Sequence, residues 1–517
     1  MSFPPEFSAE RIERSAGQTA SERYLARLAE STFLNLWCYA NLYRDQRDGE
    51  GPQGKELCDL LVVCGHHVLI FSDKAVTWPA AEDIDVAWAR WFKRAIWKSG
   101  DQVKGASRWL DQHPDRIFLD PLCQKPFPLK LPALNERKMH GIVVARGAAD
   151  ACRRFFSGGS GSLAVAPRLR GAAHMNKSSE HYAPFHIGDV NPEGPFIHVF
   201  DETTLDILLK ELDTVTDLTR YLDKKEKLIR SGILLGAEGE EDLLADYLTH
   251  LGPNGEHDFT AFDVMRNPSA KHAVYPGGIY AGLVTHPRYM AKKLADNDSY
   301  VWDELINAFT DHMLAGTTLV HDKKPLALRD HELAVRYMAL EDRLSRRMHG
   351  KAILGALQRG SKEQRFFRAM IDHNNIETKT GFFLLLLAYP THLNLSGGYE
   401  QYRTTRMNML QAYAIALAHK FRHLERVIGI ATEPPSEATG TPGSSEDLIL
   451  FEPLEWTQEL EAEMERLRLL FDIFADGRPK LLLHHEEEYP PITTSSKPLN
   501  RKQRRAEAAR RRRPREN

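Results

Sequence analysis

Residues 54–74 read GKELCDLLVVCGHHVLIFSDK. Two apolar runs rich in Leu, Val, Ile and Phe flank a Gly-His-His break, the pattern of two strands joined by a tight turn. The strands are expected at 57–64 and 68–74. The turn is formed either by Gly65 and His66 or by Gly65 to His67, and its length decides which side chains share a face. With two turn residues, Cys64 pairs with His67 and Asp59 lies opposite Ser72. Asp59, Ser72 and Lys74 then point the same way. With three, Asp59 lies opposite Asp73 and Lys74 faces away unless a bulge re-aims it. The sequence leaves both registers open.

Working outward, Ser21 is read as an N-cap. Tyr24, Leu25, Leu28 and Ala29 follow at helical spacing up to Thr32. Residues 33–43 read as a strand and 44–54 as a polar loop. Residues 85–112 form a long amphipathic helix, with Trp91, Ala95, Val103, Ala106, Trp109 and Leu110 at helical intervals. Residues 139–145 read as a fourth strand. The order is α-β-β-β-α-β, and the fold class is α/β. A first domain is expected over 1–160, its edge marked by SGGSGS at 157–162. A second, mixed α/β domain is expected over 185–475. It comprises a strand at 196–200, helices at 205–228 and 332–357, and a β-α-β run at 382–389, 399–422 and 426–431. A Pro/Gly/Ser-rich insertion at 433–445 and a last helix at 455–474 complete it. From 486 to 517 the periodicity stops and a disordered basic tail is expected.

The segment 54–74, set in this order of elements, resembles the PD-(D/E)XK nuclease superfamily, which has the restriction-endonuclease-like fold. The resemblance covers about the first 150 residues. It rests on Asp59 in the second strand and Lys74 closing the third. In that superfamily an acid on one strand and an E-x-K on the next hold Mg²⁺, often with a glutamate from the first helix. Some branches add a glutamine from the second helix. The resemblance therefore implies Mg²⁺ (or Mn²⁺) held by Asp59 with Glu22, Glu56 or Asp73. It implies Lys74 as the catalytic lysine, supported by Gln102. Ser72 stands where the family places an acid, a departure that bears on catalysis and not on fold.

The chemistry can be argued without the family name. Mg²⁺ takes hard oxygen ligands and keeps several waters. It activates a water and neutralises charge on the leaving side, while a nearby lysine positions that water or stabilises the phosphorane. Alone, an aspartate at a strand start is ordinarily a turn residue and a lysine at a strand end is ordinarily solvated. Their matched depth in one apolar hairpin is what points to a site.

Hydrophobic residues make up 42% and charged residues 27% of the 517, an ordinary globular balance. The net charge of -3 hides an asymmetry. Residues 501–517 hold nine Lys/Arg against two Asp/Glu, a net of +7, which leaves the remainder near -10. Arg501, Lys502, Arg504, Arg505, Arg510, Arg511, Arg512, Arg513 and Arg515 are expected to contact nucleic-acid phosphates, a contact without sequence information. Cys38, Cys58, Cys64, Cys123 and Cys152 are odd in number and lack a CxxC pair, so they read as reduced thiols in a cytoplasmic protein. No secretory signal is read at residues 1–13, and the longest apolar run (382–389) is too short to span a bilayer.

No phosphate-binding P-loop is present. The His66-His67 pair, the Asp372-His373-Asn374-Asn375 run and SGGSGS carry no supported chemistry. The tryptophans at 88, 91, 97 and 109 read as core. The expectation is a metal-dependent nuclease, acting on DNA in preference to RNA, in bacterial defence or repair, and possible as a homodimer. The alternative is a non-catalytic descendant that binds nucleic acid or acts as a sensor or scaffold.

Overall fold

The computed structural model describes residues 11–45, 54–264, 272–318, 328–371, 379–389, 398–435, 446–452, 455–474 and 486–491. The basic residues of 501–515, the run 372–375 and most of the insertion at 433–445 lie outside them.

The protein is mixed α/β. Helix α1 (Ala20–Phe33) has its cap two residues before the expected Ser21. Thr19 is the N-cap, accepting from the Glu22 N–H at 3.2 Å, while Glu22 Oε2 accepts from the N–H of Thr19 at 3.2 Å. This T-x-x-E capping box fixes the helix start. Strands β1 (Cys38–Asp45), β2 (Gly54–Cys64) and β3 (His67–Ala75) follow as an antiparallel meander. Residues 33–37, expected as strand, finish α1 and form a short 3₁₀ turn. The long helix arrives in two pieces, α2 (Ile84–Phe92) and α3 (Lys98–Gln112), joined by a π-helical turn over Lys93–Trp97. The short β4 (Ile117–Phe118) pairs with β1, and β5 (Lys138–Arg146) runs parallel to β3.

After α4 (Ala149–Phe155) come β6 (Ala164–Arg170), β7 (His186–Asp189) and β8 (Ile197–Asp201). Strand β8, expected to open a second domain, instead pairs parallel with β5 and completes a six-stranded sheet in the order β4-β1-β2-β3-β5-β8. Helices α5 (Glu202–Glu211) and α6 (Val215–Ser231) replace the single helix expected over 205–228. Thr214 accepts from the Asp217 N–H and starts a new helix there. Strand β9 (Leu234–Ala237), helices α7 (Glu240–Thr249) and α8 (Ala261–Val264) and strand β10 (Ala273–Tyr275) lead to a second sheet, ordered β10-β9-β6-β7.

A helical stretch follows: α9 (Ile279–Thr285), α10 (Pro287–Ala295), α11 (Tyr300–Ala315), α12 (Leu328–Ala339) and α13 (Arg343–Gly360). The helix expected over 332–357 is thus two, because Asp342 caps α13 by accepting from the Ser345 N–H. The third sheet holds β11 (Arg365–Met370), β12 (Thr380–Leu387), β13 (Arg426–Thr432) and β14 (Asp447–Phe451) in sequence order. Strands β12 and β13 are parallel and joined by α14 (Gly398–Lys420), which is the expected β-α-β unit. Helix α15 (Gln458–Leu470) ends the series.

One apolar core runs from Leu25 through the first two sheets to Ile428 and Ile430, with Trp37, Trp88, Trp91 and Trp302 fully buried. Trp37 donates to Glu332 Oε1 at 2.7 Å and ties the first sheet to α12. All five cysteines are free, four of them buried. No helix among the described residues is long and apolar enough to cross a membrane. The tail expected from residue 486 starts instead with a docked segment, Glu486 to Pro491, whose side chains and carbonyls contact α10 and α13.

Candidate functional site

The hairpin settles its own register. Gly65 takes φ 60°, a left-handed value that glycine tolerates, and Gly65-His66 is a two-residue turn. Cys64 pairs with His67, and the ladder runs back to Leu60 opposite Phe71. Counting one step further sets Asp59 against Ser72. There the Asp59 carboxylate takes over from the ladder, because the Asp73 N–H donates to Asp59 Oδ2 at 2.6 Å. Lys74 Nζ lies 3.6 Å from the same oxygen. The Asp59 side chain is 1% exposed and that of Lys74 38%. Burial pushes the Asp59 carboxyl up to about 6, against the opposing pull of Lys74 and the Asp73 N–H.

Ser72 and Asp73 point to different partners. The Ser72 hydroxyl donates to Gln102 Oε1 on α3 at 3.2 Å. Helix α3 can come this close because Gly141 of β5 lacks a side chain; a Cβ there would stand 2.6 Å from Val103 Cγ1. Asp73 instead accepts from Arg146 Nε, at the end of β5, at 2.8 Å. Burial raises the Asp73 carboxyl above its ordinary range, and Arg146 opposes this. The Arg146 guanidinium also lies 5.6 Å from the Tyr24 ring centroid.

Glu22 and Glu56 form a separate polar group. Asn41 Nδ2 donates to Glu22 Oε2 at 2.9 Å and to Glu56 Oε1 at 3.3 Å. Asn41 sits in β1 at φ 51°, next to a register shift between Leu42 and Tyr43, so a bulge turns its amide toward both acids. Burial would raise the Glu22 carboxyl. Hydrogen bonds from Asn41 and from the N–H groups of Gln18 and Thr19 outweigh that and hold it below its ordinary range.

Sequence reasoning therefore set Asp59 beside Lys74, whereas Gln102, expected to support Lys74, accepts from Ser72 instead. It did not foresee that Glu22 serves a capping box, nor the parts of Asn41 and Arg146. The T-x-x-E at 19–22 was a readable signal for the first. An asparagine inside an otherwise apolar strand was a signal for the bulge. Nothing local marked Arg146, which reaches Asp73 only through the parallel pairing of β3 with β5.

These contacts decide the fit to a divalent cation. Asp59 Oδ2 is engaged by an N–H and an ammonium, Asp73 Oδ1 by Arg146, and the slot beside Lys74 holds a hydroxyl bonded to an amide. Among the described residues no group of three or more His, Cys, Asp or Glu is arranged to hold a metal ion. Mg²⁺ needs near-octahedral oxygen ligation with at least one or two free carboxylates, and these residues do not fit it. The arrangement offers a half-exposed ammonium held beside a buried carboxylate, with an arginine on the adjacent parallel strand. Comparison with protein-family models, curated proteins and solved structures gives no match.

Proposed function

We propose that the first sheet with α1 and α3 is a PD-(D/E)XK-type nuclease scaffold that binds nucleic acid without a complete hydrolytic centre. The observation that carries this reading is the company Lys74 keeps. Its paired carboxylate among the described residues is Asp59 alone, and the neighbouring slot holds Ser72 hydrogen-bonded to Gln102. The scaffold assignment is supported by the α-β-β-β-α-β order, the antiparallel meander and the parallel fourth strand. Lys74 meets phosphate as a point charge, and the nine cations of 501–515 supply most of the affinity by counterion release. DNA is the favoured partner.

A second reading, a metal-dependent nuclease, is favoured by the 3.6 Å approach of Lys74 to Asp59. The two differ in a binding and cleavage experiment on duplex DNA, single-stranded DNA and RNA across a salt series. The binding reading expects affinity that falls steeply with salt and whose slope drops by up to about 8 when residues 501–517 are removed. Lys74→Ala lowers the slope by about 1. Unchanged affinity and slope without the tail would refute nucleic-acid binding through it, and metal-dependent cleavage would replace this reading with the second.

A further inference from the structure

Away from the first sheet, a row of cations, with Arg347 and Lys292 buried among them, holds a short acidic piece of the same chain. Arg347 of α13 has a side chain that is 0% exposed. Its Nη1 donates to the Glu488 carbonyl at 3.1 Å and its Nη2 to the Glu487 carbonyl at 2.6 Å. Its Nε lies 3.4 Å from Glu486 Oε1, and Lys351 pairs with the same carboxylate. Glu488 pairs with His257 Nε2 at 2.6 Å and with Lys292 Nζ of α10 at 3.4 Å. The Tyr489 hydroxyl donates to the Leu248 carbonyl at 2.9 Å, and Arg288 Nη2 donates to the Tyr489 carbonyl at 3.1 Å. Glu487 is exposed between two half-buried neighbours. Glu486 and Glu488 are thus held by the body while Glu487 stands clear, and the chain bends at Glu488 and Tyr489.

Several of these cations have few other acceptors. Arg347 also donates to Asp296 Oδ1 at 3.1 Å, and Lys292 pairs with Asp296 Oδ2 at 2.9 Å. One carboxylate thus serves two buried cations. Removing the segment would leave Arg347 without both carbonyl acceptors in a buried position, a costly state for a guanidinium. Recognition through main-chain carbonyls and alternate side chains is the way a groove selects a linear peptide rather than a folded surface.

We propose that this groove is a docking site for a short acidic peptide, and that its occupant is the chain's own Glu486–Tyr489, which latches the root of the basic C-terminal region to the body. The latch goes beyond the nucleic-acid reading and does not depend on it. Exchange of the segment for an acidic peptide supplied in trans follows from the same contacts.

The test uses the full chain and a glutamyl-specific protease, with cleavage after Glu487, the site that wild type and variant both keep, followed by mass spectrometry. The double substitution Glu486→Gln/Glu488→Gln alters only the docked segment, so the body's fold is not put at risk. Cleavage is expected to be about tenfold faster in the double variant than in the wild type, from the loss of the charge-paired contacts. A fluorescent peptide of residues 484–492 is expected to bind the double variant, whose groove is vacated, and not the wild type. Equal cleavage rates would overturn the proposal, as would equal peptide binding to both chains. Protection that grows with protein concentration would place a second copy's segment in the groove and overturn the intramolecular assignment.

Discussion

Asp59→Asn is the sharpest perturbation of the candidate site. The carboxyl is buried, and its pKa stands at about 6 against an ordinary 3.8. At 1.36 kcal/mol per unit, that rise is worth about 3 kcal/mol. Its sign follows from proton counting. Between pH 3.8 and 6 the folded state binds more protons at Asp59 than the unfolded state, so stability at this site falls as pH rises through that window. Asparagine cannot ionise, and its Oδ1 can still accept from the Asp73 N–H. The stability difference, variant minus wild type, is therefore expected to grow by about 3 kcal/mol between pH 3.5 and 7.5, in favour of asparagine. Amide hydrogen exchange in β2 and β3, corrected for intrinsic rates, reads the local opening free energy that this changes. Millimolar Mg²⁺ is expected to leave the difference unaltered, because no group of three or more His, Cys, Asp or Glu among the described residues is arranged to hold a metal ion. A difference that stays flat or shrinks with rising pH would refute the reasoning. It would mean that Asp59 ionises at or below its ordinary value, as it would when held firmly by a cation.

The histidines of the first sheet behave in the opposite sense. His67 Nδ1 and His140 Nε2 lie 3.0 Å apart, and burial lowers both to about 4. A base depressed in the folded state loses stability as pH falls from 6.5 towards 4, so exchange in β3 and β5 is expected to quicken over that range. His140→Gln should flatten the trend, and a steeper one would count against it. Gly141→Ala is expected to destabilise by about 1–3 kcal/mol through overpacking and to loosen the Ser72–Gln102 contact, as seen by faster exchange at the start of α3. Asp303→Asn leaves the buried Arg343 and Arg346, now 2.7 and 2.6 Å from its carboxylate, without their shared counter-ion. Thermal unfolding should register a loss of about 3–5 kcal/mol.

What the sequence made legible was local. Two apolar runs and the Gly-His-His break gave the β2–β3 hairpin, and dense apolar runs at 382–389 and 426–431 gave the parallel β-α-β unit. Helix stops marked by short polar residues were missed at Thr214 and Asp342, because the apolar spacing on either side runs on across the cap. Long-range pairing was beyond reach. The boundary near 160 dissolved because β8, some fifty residues downstream of β5, returns to the first sheet. Nothing near 197–201 records which sheet it joins. At the site, Lys74 and Gln102 were singled out by the resemblance. The partners that decide the chemistry, Arg146 for Asp73 and Asn41 between Glu22 and Glu56, arise from strand order and a bulge.

The central claim is that Lys74 and Asp59 form a phosphate-facing pair and not a metal-loaded hydrolytic centre. A nicking and degradation assay with plasmid DNA, single-stranded DNA and RNA, in Mg²⁺ and in Mn²⁺, tests it most directly when Asp59→Ala and Lys74→Ala run beside the wild type. The account predicts no cleavage by the wild type above that of the two variants on any substrate, alongside salt-sensitive binding. Metal-dependent cleavage by the wild type that both substitutions abolish would contradict it.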